Sequence, residues 1–423
     1  MAAPNTFGEL GLSIIGVASQ YPPYSLKTDS IDYLSNKFYP ESPSMKKVLS
    51  INRFTGIDYR SSIGTHEHEV VNQKDAPSIA ELHKVFMSDG VPLAVEASRK
   101  AIEEARIDLS EITHVVSTTC TDSANPGFDH YVVNGLGITH QVEKVLLHGV
   151  GCSGGLATLR TAANLALGHK ARGKPARILC VALEVSTTMV RSELNSIDEL
   201  QETRIGVALF SDCASAVVLS NGIGVPTEPV YDLLGWEHKI IPDTDQDLGF
   251  DVDPVGWKVI LTPRVPKLAS AAIPSTFAEM LSDVPSLPSN YQKPEDFDWA
   301  MHPGGATILS GAETTMGITS YHMRASYDTY INHGNSSSAT IFSVMDRLRS
   351  KDMDAVAPEG RARDYVVGCA FGPGISAPRE TESEGSTSEA GDDGAVRSEE
   401  RASSGRQADQ TFVAEAMEEL DLD

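Results

Sequence analysis

The chain has 423 residues, 41% of them hydrophobic, and its 58 acidic and 34 basic side chains leave a net charge of −24. No apolar run approaches the roughly 20 residues of a membrane span, and an acidic chain lacks the basic footprint that nucleic acid requires. Five cysteines without short repeated spacing argue against a disulfide framework and against a zinc site, so no metal is expected and a reducing, cytoplasmic compartment is.

The first residues, MAAPNTFGELG, combine no basic region with a long apolar stretch, so no signal peptide is expected. Leu12 to Gln20 reads as a first strand, broken by Pro22 and Pro23. Lys46, Lys47, Arg53 and Arg60 then form a local basic cluster suited to a phosphorylated ligand such as coenzyme A. Apolar positions from Leu93 to Ile107 fit an amphipathic helix, followed by a strand from Thr113 to Thr119 and a loop reaching Gly127.

Val145-Leu146-Leu147 reads as the end of a buried strand, and Leu156, Leu159, Ala163 and Leu167 recur at helical spacing after it. Cys152 therefore lies in a glycine-rich strand-to-helix turn. A thiol there feels the positive end of a helix dipole, which favours the nucleophilic thiolate. Gly151, Gly154 and Gly155 remove side chains around it, leaving room for a substrate carbonyl.

Arg177 to Glu184 reads as another strand, so helices alternate with apolar strands in an α/β pattern. Arg204 to Ser220 is expected to hold two strands around a small-residue turn. Prolines and acidic residues between Gly222 and Lys293 suggest loops and short strands that shape a pocket. Phe297 to Leu309 repeats the strand, glycine turn and helix, with His302 in the reactive position. Asn335 falls at the start of an amphipathic helix, Ser336 to Arg349, that leads into a strand from Tyr365 to Phe371. This weak internal repeat predicts two related halves, residues 1–230 and 231–378. Residues 379–423 carry 14 acidic and 4 basic side chains and read as a disordered acidic tail.

The motifs GVGCSGGLATLR, HPGGATIL, HGNSSSA and FGPG occur in an order that resembles type III polyketide synthases, the chalcone-synthase-like family, and above all its fungal members. The resemblance spans residues 10 to 378. It implies a thiolase-like fold, with two similar βαβ-rich halves in a five-layered αβαβα core, and a homodimer. It further implies a catalytic triad of Cys152, His302 and Asn335. Cys152 would take an acyl group from a starter acyl-CoA, while His302 and Asn335 hold the enolate formed as malonyl-CoA decarboxylates.

By the same resemblance Cys120, Thr121, Ser186, Met189, Phe210, Val259 and Ser337 are expected to line the substrate pocket, and Lys46 and Arg53 to bind coenzyme A. A second entrance aromatic has no match, because the region around Val259 lacks a phenylalanine, and Leu49 stands at an expected basic position. Gly372, Pro373 and Gly374 are expected to scaffold the cavity. Coenzyme A thioesters enter as substrates, with no further cofactor. The implied products, by analogy with fungal relatives, are alkylpyrones or alkylresorcinols (resorcylic acids) built on a fatty acyl starter. The alternatives are a ketoacyl synthase III performing a single condensation, and a catalytically silent scaffold with an acidic tail.

Overall fold

The computed structural model describes residues 9–224, 228–284 and 287–375; the acidic tail expected over residues 379–423 lies outside them. Strand β1 (Leu12–Gln20) occupies the stretch read as the first strand. Its near-continuous burial is that of a strand covered on both faces. Past the two prolines come β2 (Tyr24–Lys27), α1 (Ser30–Phe38), α2 (Pro43–Asn52) and β3 (Tyr59–Ser62), with β2 and β3 antiparallel. Helix α3 (Ile79–Val85) opens on a Ser78–Glu81 capping box. It continues through one π turn into α4 (Val91–Ala105).

The next elements are β4 (His114–Thr118), α5 (Phe128–Leu136), β5 (Glu143–Leu147), α6 (Gly154–Lys170) and β6 (Arg177–Val185). They lead to α7 (Val190–Leu200), α8 (Gly206–Leu209), β7 (Asp212–Ser220) and β8 (Tyr231–Leu233). A hairpin of β9 (Leu248–Asp253) and β10 (Gly256–Leu261) precedes α9 (Val265–Asp283). The second half then runs β11 (Asp298–Met301), α10 (Ala306–Met316), α11 (Arg324–His333), α12 (Thr340–Leu348), α13 (Lys351–Ala355) and β12 (Val366–Cys369).

Six strands form one sheet in the order β5-β4-β6-β7-β1-β8, parallel from β5 to β6 and antiparallel beyond. Helices α4 and α5 pack one face, through Ala97, Ala101 and Val132. Against the other face lie α6 and α12, through Ala162, Ala166 and Val344, which also touch Ala300 of β11. Strands β11 and β12 pair in parallel, and α9 and α10 cover them through Ile273, Phe277 and Leu309. The succession is helix, sheet, helix, sheet, helix. This is the five-layered thiolase-like architecture.

Two stretches depart from their sequence reading. Arg204 to Ser220 holds the short α8 and the single strand β7, not two strands around a turn. Its small residues are not a turn: Ala214 and Ala216 pack in the core beside α4, and the Ser215 hydroxyl donates to the Ala339 carbonyl at 2.7 Å. The loop-like reading of 222–293 missed the 19-residue α9. Pro266 stands in its first turn, where proline fits. Pro274 sits inside and forfeits a hydrogen bond, a cost of about 3 kcal/mol, offset by the burial of Val265, Ala269, Ile273 and Phe277.

Candidate active site

The turn that carries Cys152 follows β5 through Gly149 and Gly151, whose φ values of 74° and 44° suit glycine. The glycines beyond it do not open space for substrate, as the sequence suggested. A Cβ on Gly154 would lie 2.6 Å from Thr118 Oγ1, and one on Gly155 would lie 2.4 Å from Ile341 Cγ2. Both let α6 approach its neighbours closely. Cys152 is thus fixed by packing and is only 8% exposed.

From the sulfur a chain of polar contacts leads to the second half. Cys152 Sγ lies 3.4 Å from Ser337 Oγ, which lies 3.4 Å from Cys120 Sγ. Ser337 adopts a left-handed φ of 46°, a conformation that costs a serine about 1–3 kcal/mol. Its backbone N–H donates to Asn335 Oδ1 at 2.8 Å, and Asn335 Nδ2 donates to the Gly304 carbonyl at 3.3 Å. Two residues before Gly304, His302 is 1% exposed, and its backbone N–H donates to the Cys369 carbonyl at 2.7 Å. Neither ring nitrogen of His302 has a hydrogen-bond partner among the described residues. A buried imidazole with both nitrogens unused is ready to bond an incoming group.

Burial governs the charges. It pushes the Cys152 thiol up to about 11, opposed by the Ser337 hydrogen bond and reinforced by Glu184. It pushes His302 down to about 4. Each is therefore neutral alone at pH 7, which corrects the expectation of a thiolate from the helix dipole alone: α6 begins two residues past Cys152, and desolvation opposes it.

Sequence reasoning missed Glu184. It is fully buried and accepts hydrogen bonds from the Ser338 hydroxyl, the Cys120 N–H at 3.1 Å and the Thr121 hydroxyl at 2.9 Å. Its burial raises its pKa while these donors lower it. The available signal was an acidic residue closing an otherwise apolar strand. Thr121, expected in the pocket, is a supporting residue, since it also accepts from the Val185 N–H at 3.0 Å.

Ser186, Met189, Phe210 and Val259 come together around a mainly apolar cavity. Cys120 and Ser337 stay on the Cys152 side, joined through the contacts above. Phe250, another residue the sequence did not offer, pairs with Val259 across the hairpin, and its ring lies 5.9 Å from that of Phe210. Gly372 and Pro373 press on the turn that carries Cys152: a Cβ on Gly372 would lie 2.5 Å from the Val150 carbonyl, and one on Gly151 would lie 2.6 Å from Pro373 Cδ. Gly374 N–H donates to the Leu248 carbonyl at 3.2 Å.

The basic cluster is smaller than the sequence suggested. Arg60 is buried and spends its guanidinium on the Ala208 carbonyl and the Asn52 side chain. Lys46, Lys47 and Arg53 remain exposed, Arg53 paired with Asp32 at 2.9 Å. Seven positions separate Lys46 from Arg53, which brings them to one side of α2 and its end.

Comparison with known proteins matches the chalcone and stilbene synthase N-terminal domain to residues 53–223 and the C-terminal domain to residues 233–380. The chain is 41% identical over 387 residues to the type III polyketide synthase pspB of Penicillium soppii, covering 86% of this chain and 94% of that one. It is 38% identical over 371 residues to the acylalkylpyrone synthase csyB of Aspergillus oryzae, covering 86% and 92%. Among solved structures, the fungal type III polyketide synthase ORAS superposes with a TM-score of 0.86 at 72% identity, over 86% of this chain and 97% of that one. A type III pentaketide synthase from Neurospora crassa gives 0.86 at 71%, with the same coverage.

Proposed function

The chain belongs to the chalcone and stilbene synthase family as a type III polyketide synthase, and from that premise we propose that it condenses a fatty acyl-CoA with malonyl-CoA units and cyclises the product to an alkylpyrone or alkylresorcinol. Enzymes of this family are acyltransferases that work by decarboxylating condensation. The carrying observation is the chain of contacts from Cys152 through Ser337 to Asn335, whose backbone bridges to Phe210 in the wall of the apolar cavity. Its apolar lining by Met189, Phe210 and Val259 suits an alkyl chain more than a polar starter.

In this reading the Cys152 sulfur attacks the carbonyl of the starter thioester, giving its proton to His302, and coenzyme A leaves as the thiol when it takes that proton up. Malonyl-CoA then loses carbon dioxide. The electron pair of the broken C–C bond passes into an enolate, whose oxygen accepts hydrogen bonds from the neutral His302 ring and Asn335 Nδ2. Donors held where charge develops are the largest source of such stabilisation. The enolate carbon attacks the Cys152 thioester, and the sulfur leaves. Lys46 and Arg53 attract the nucleotide phosphates of both thioesters, and coenzyme A thioesters are the only small molecules the steps require. The working unit is read as a homodimer. The name of one relative, an acylalkylpyrone synthase, agrees with an alkylpyrone product.

The test incubates purified protein with malonyl-CoA and saturated acyl-CoAs of graded length, reading products by mass spectrometry. Alkylpyrones or alkylresorcinols should form with a preference for long chains. Turnover of acyl-carrier-protein substrates alone, with every acyl-CoA inert, would overturn the reading.

A further inference from the structure

At the opposite end of α6 from Cys152, three side chains converge that the condensation does not use. His114 opens β4, Glu143 opens β5 in direct register with it, and His169 lies in the last turn of α6. One ligand atom from each lies within 4.8 Å of the other two. The sequence spacing, 29 and then 26 residues, resembles no short metal motif, so the parallel pairing of β4 with β5 is what assembles the group.

The hydrogen bonds around the rings fix which nitrogens are free. His169 Nδ1 lies 3.3 Å from the Pro175 carbonyl, an acceptor only, so this nitrogen carries the hydrogen and Nε2 keeps its lone pair. The Thr113 hydroxyl donates to the Arg177 carbonyl at 3.1 Å, so at 2.8 Å it accepts from His114 Nδ1. That leaves His114 Nε2 as a lone pair as well. His114 is 1% exposed and its Nε2 has no hydrogen-bond partner, yet it faces Glu143 Oε2 at 3.6 Å. The two rings pack edge to face with centroids 4.7 Å apart, and a cation between the three groups would relieve the repulsion of two lone pairs and a carboxylate.

We propose that His114, Glu143 and His169 form a binding site for a divalent transition metal of the zinc class. Two imidazoles and a carboxylate are a ligand set that zinc accepts, with water in the fourth position. Tetrahedral bonds of about 2.0–2.1 Å set ligand atoms about 3.3 Å apart, so His114 and Glu143 already stand near that separation. The Nδ1 bonds to Thr113 and Pro175 are the outer contacts that orient metal-bound histidines. The C-terminal end of α6 adds a negative dipole toward the cation, and the exposed Glu143 leaves an entry path. Arg172 is the opposing charge near His114. The ion would pin the end of α6 to the sheet edge, 17 helical residues away from the nucleophile's turn.

The test uses chelator-treated full-length protein titrated with zinc by calorimetry and with cobalt by visible absorption. One ion per chain should bind with micromolar affinity or tighter, cobalt should show the d–d bands of a low-coordinate nitrogen–oxygen site, and the thermal midpoint should rise by several degrees as ligand linkage requires. Glu143→Gln and His169→Gln, both at the surface side of the site, should each lose at least tenfold in affinity while chain extension continues at the wild-type rate. The same titration of Cys152→Ala separates uptake by the catalytic thiol. Absent binding, or uptake unchanged in both ligand variants, would overturn the site.

Discussion

At the residue scale the decisive fact is that burial works against both Cys152 and His302 as single charges. With a pKa near 11 the thiol would be about one part in ten thousand thiolate at pH 7, and His302, pushed to about 4, would be neutral. In the proposed mechanism the two ionise together, the thiol giving its proton to the imidazole. His302→Gln keeps a polar side chain but removes the proton acceptor, so Cys152 should keep the raised value that burial imposes. The pH midpoint of Cys152 alkylation by iodoacetamide is therefore expected to lie higher in His302→Gln than in the wild type, near 11. Equal midpoints would mean that the thiol is activated without the histidine. Cys152→Ala separates the two halves of the reaction. Chain extension should vanish while slow malonyl-CoA decarboxylation persists, because His302 and Asn335 still hold the enolate. Loss of both activities in a folded variant would remove the assigned roles.

At the scale of elements, the site is a meeting of turns held by contact between backbones, and that decides what was legible in the sequence. The strand-to-helix turns at Cys152 and His302 could be read because glycines and apolar spacing punctuate them. Phe250 could not, since its pairing with Val259 exists only once the hairpin closes. Glu184 was hidden for a similar reason: its donors Cys120, Thr121 and Ser338 come from distant segments. Helix α9 was obscured by Pro274, whose local penalty is outweighed by tertiary burial. The loop at Gly372 offers a test of the backbone contacts. Alanine there would set a Cβ 2.3 Å from Ser153 Oγ and 2.5 Å from the Val150 carbonyl, and the latter cannot rotate away. Gly372→Ala is expected to cut turnover at least tenfold, a barrier increase of about 1.4 kcal/mol, with a drop in thermal midpoint of only a few degrees. Gly168→Ala, in α6 with nothing within 4 Å of its Cβ, should leave turnover unchanged and stabilise the fold by about 0.5–1 kcal/mol. Equal turnover in the two variants would show that the 371–374 loop does not position Cys152.

For the whole molecule, charge is the property that the fold does not explain. The described residues hold Cys152, His302, Asn335 and the apolar cavity without residues 379–423, yet that stretch carries −10 of the net −24. Every substrate proposed for the site is a polyanion through its coenzyme A moiety. A strongly acidic segment attached to the body raises the negative potential that such a substrate meets, and screening within about 10 Å at 0.1 M salt limits its reach. Truncation after residue 378 should therefore leave kcat unchanged and lower KM for both acyl-CoA and malonyl-CoA at low ionic strength. The difference between full-length and truncated protein should fade as salt rises to about 0.5 M, where the screening length falls toward 3–5 Å. Steady-state kinetics of the two proteins across a salt series provides the check. A fall in kcat on truncation would assign the segment a part in the catalytic fold, whereas a KM shift that persists in high salt would point to direct contact and not to a long-range field.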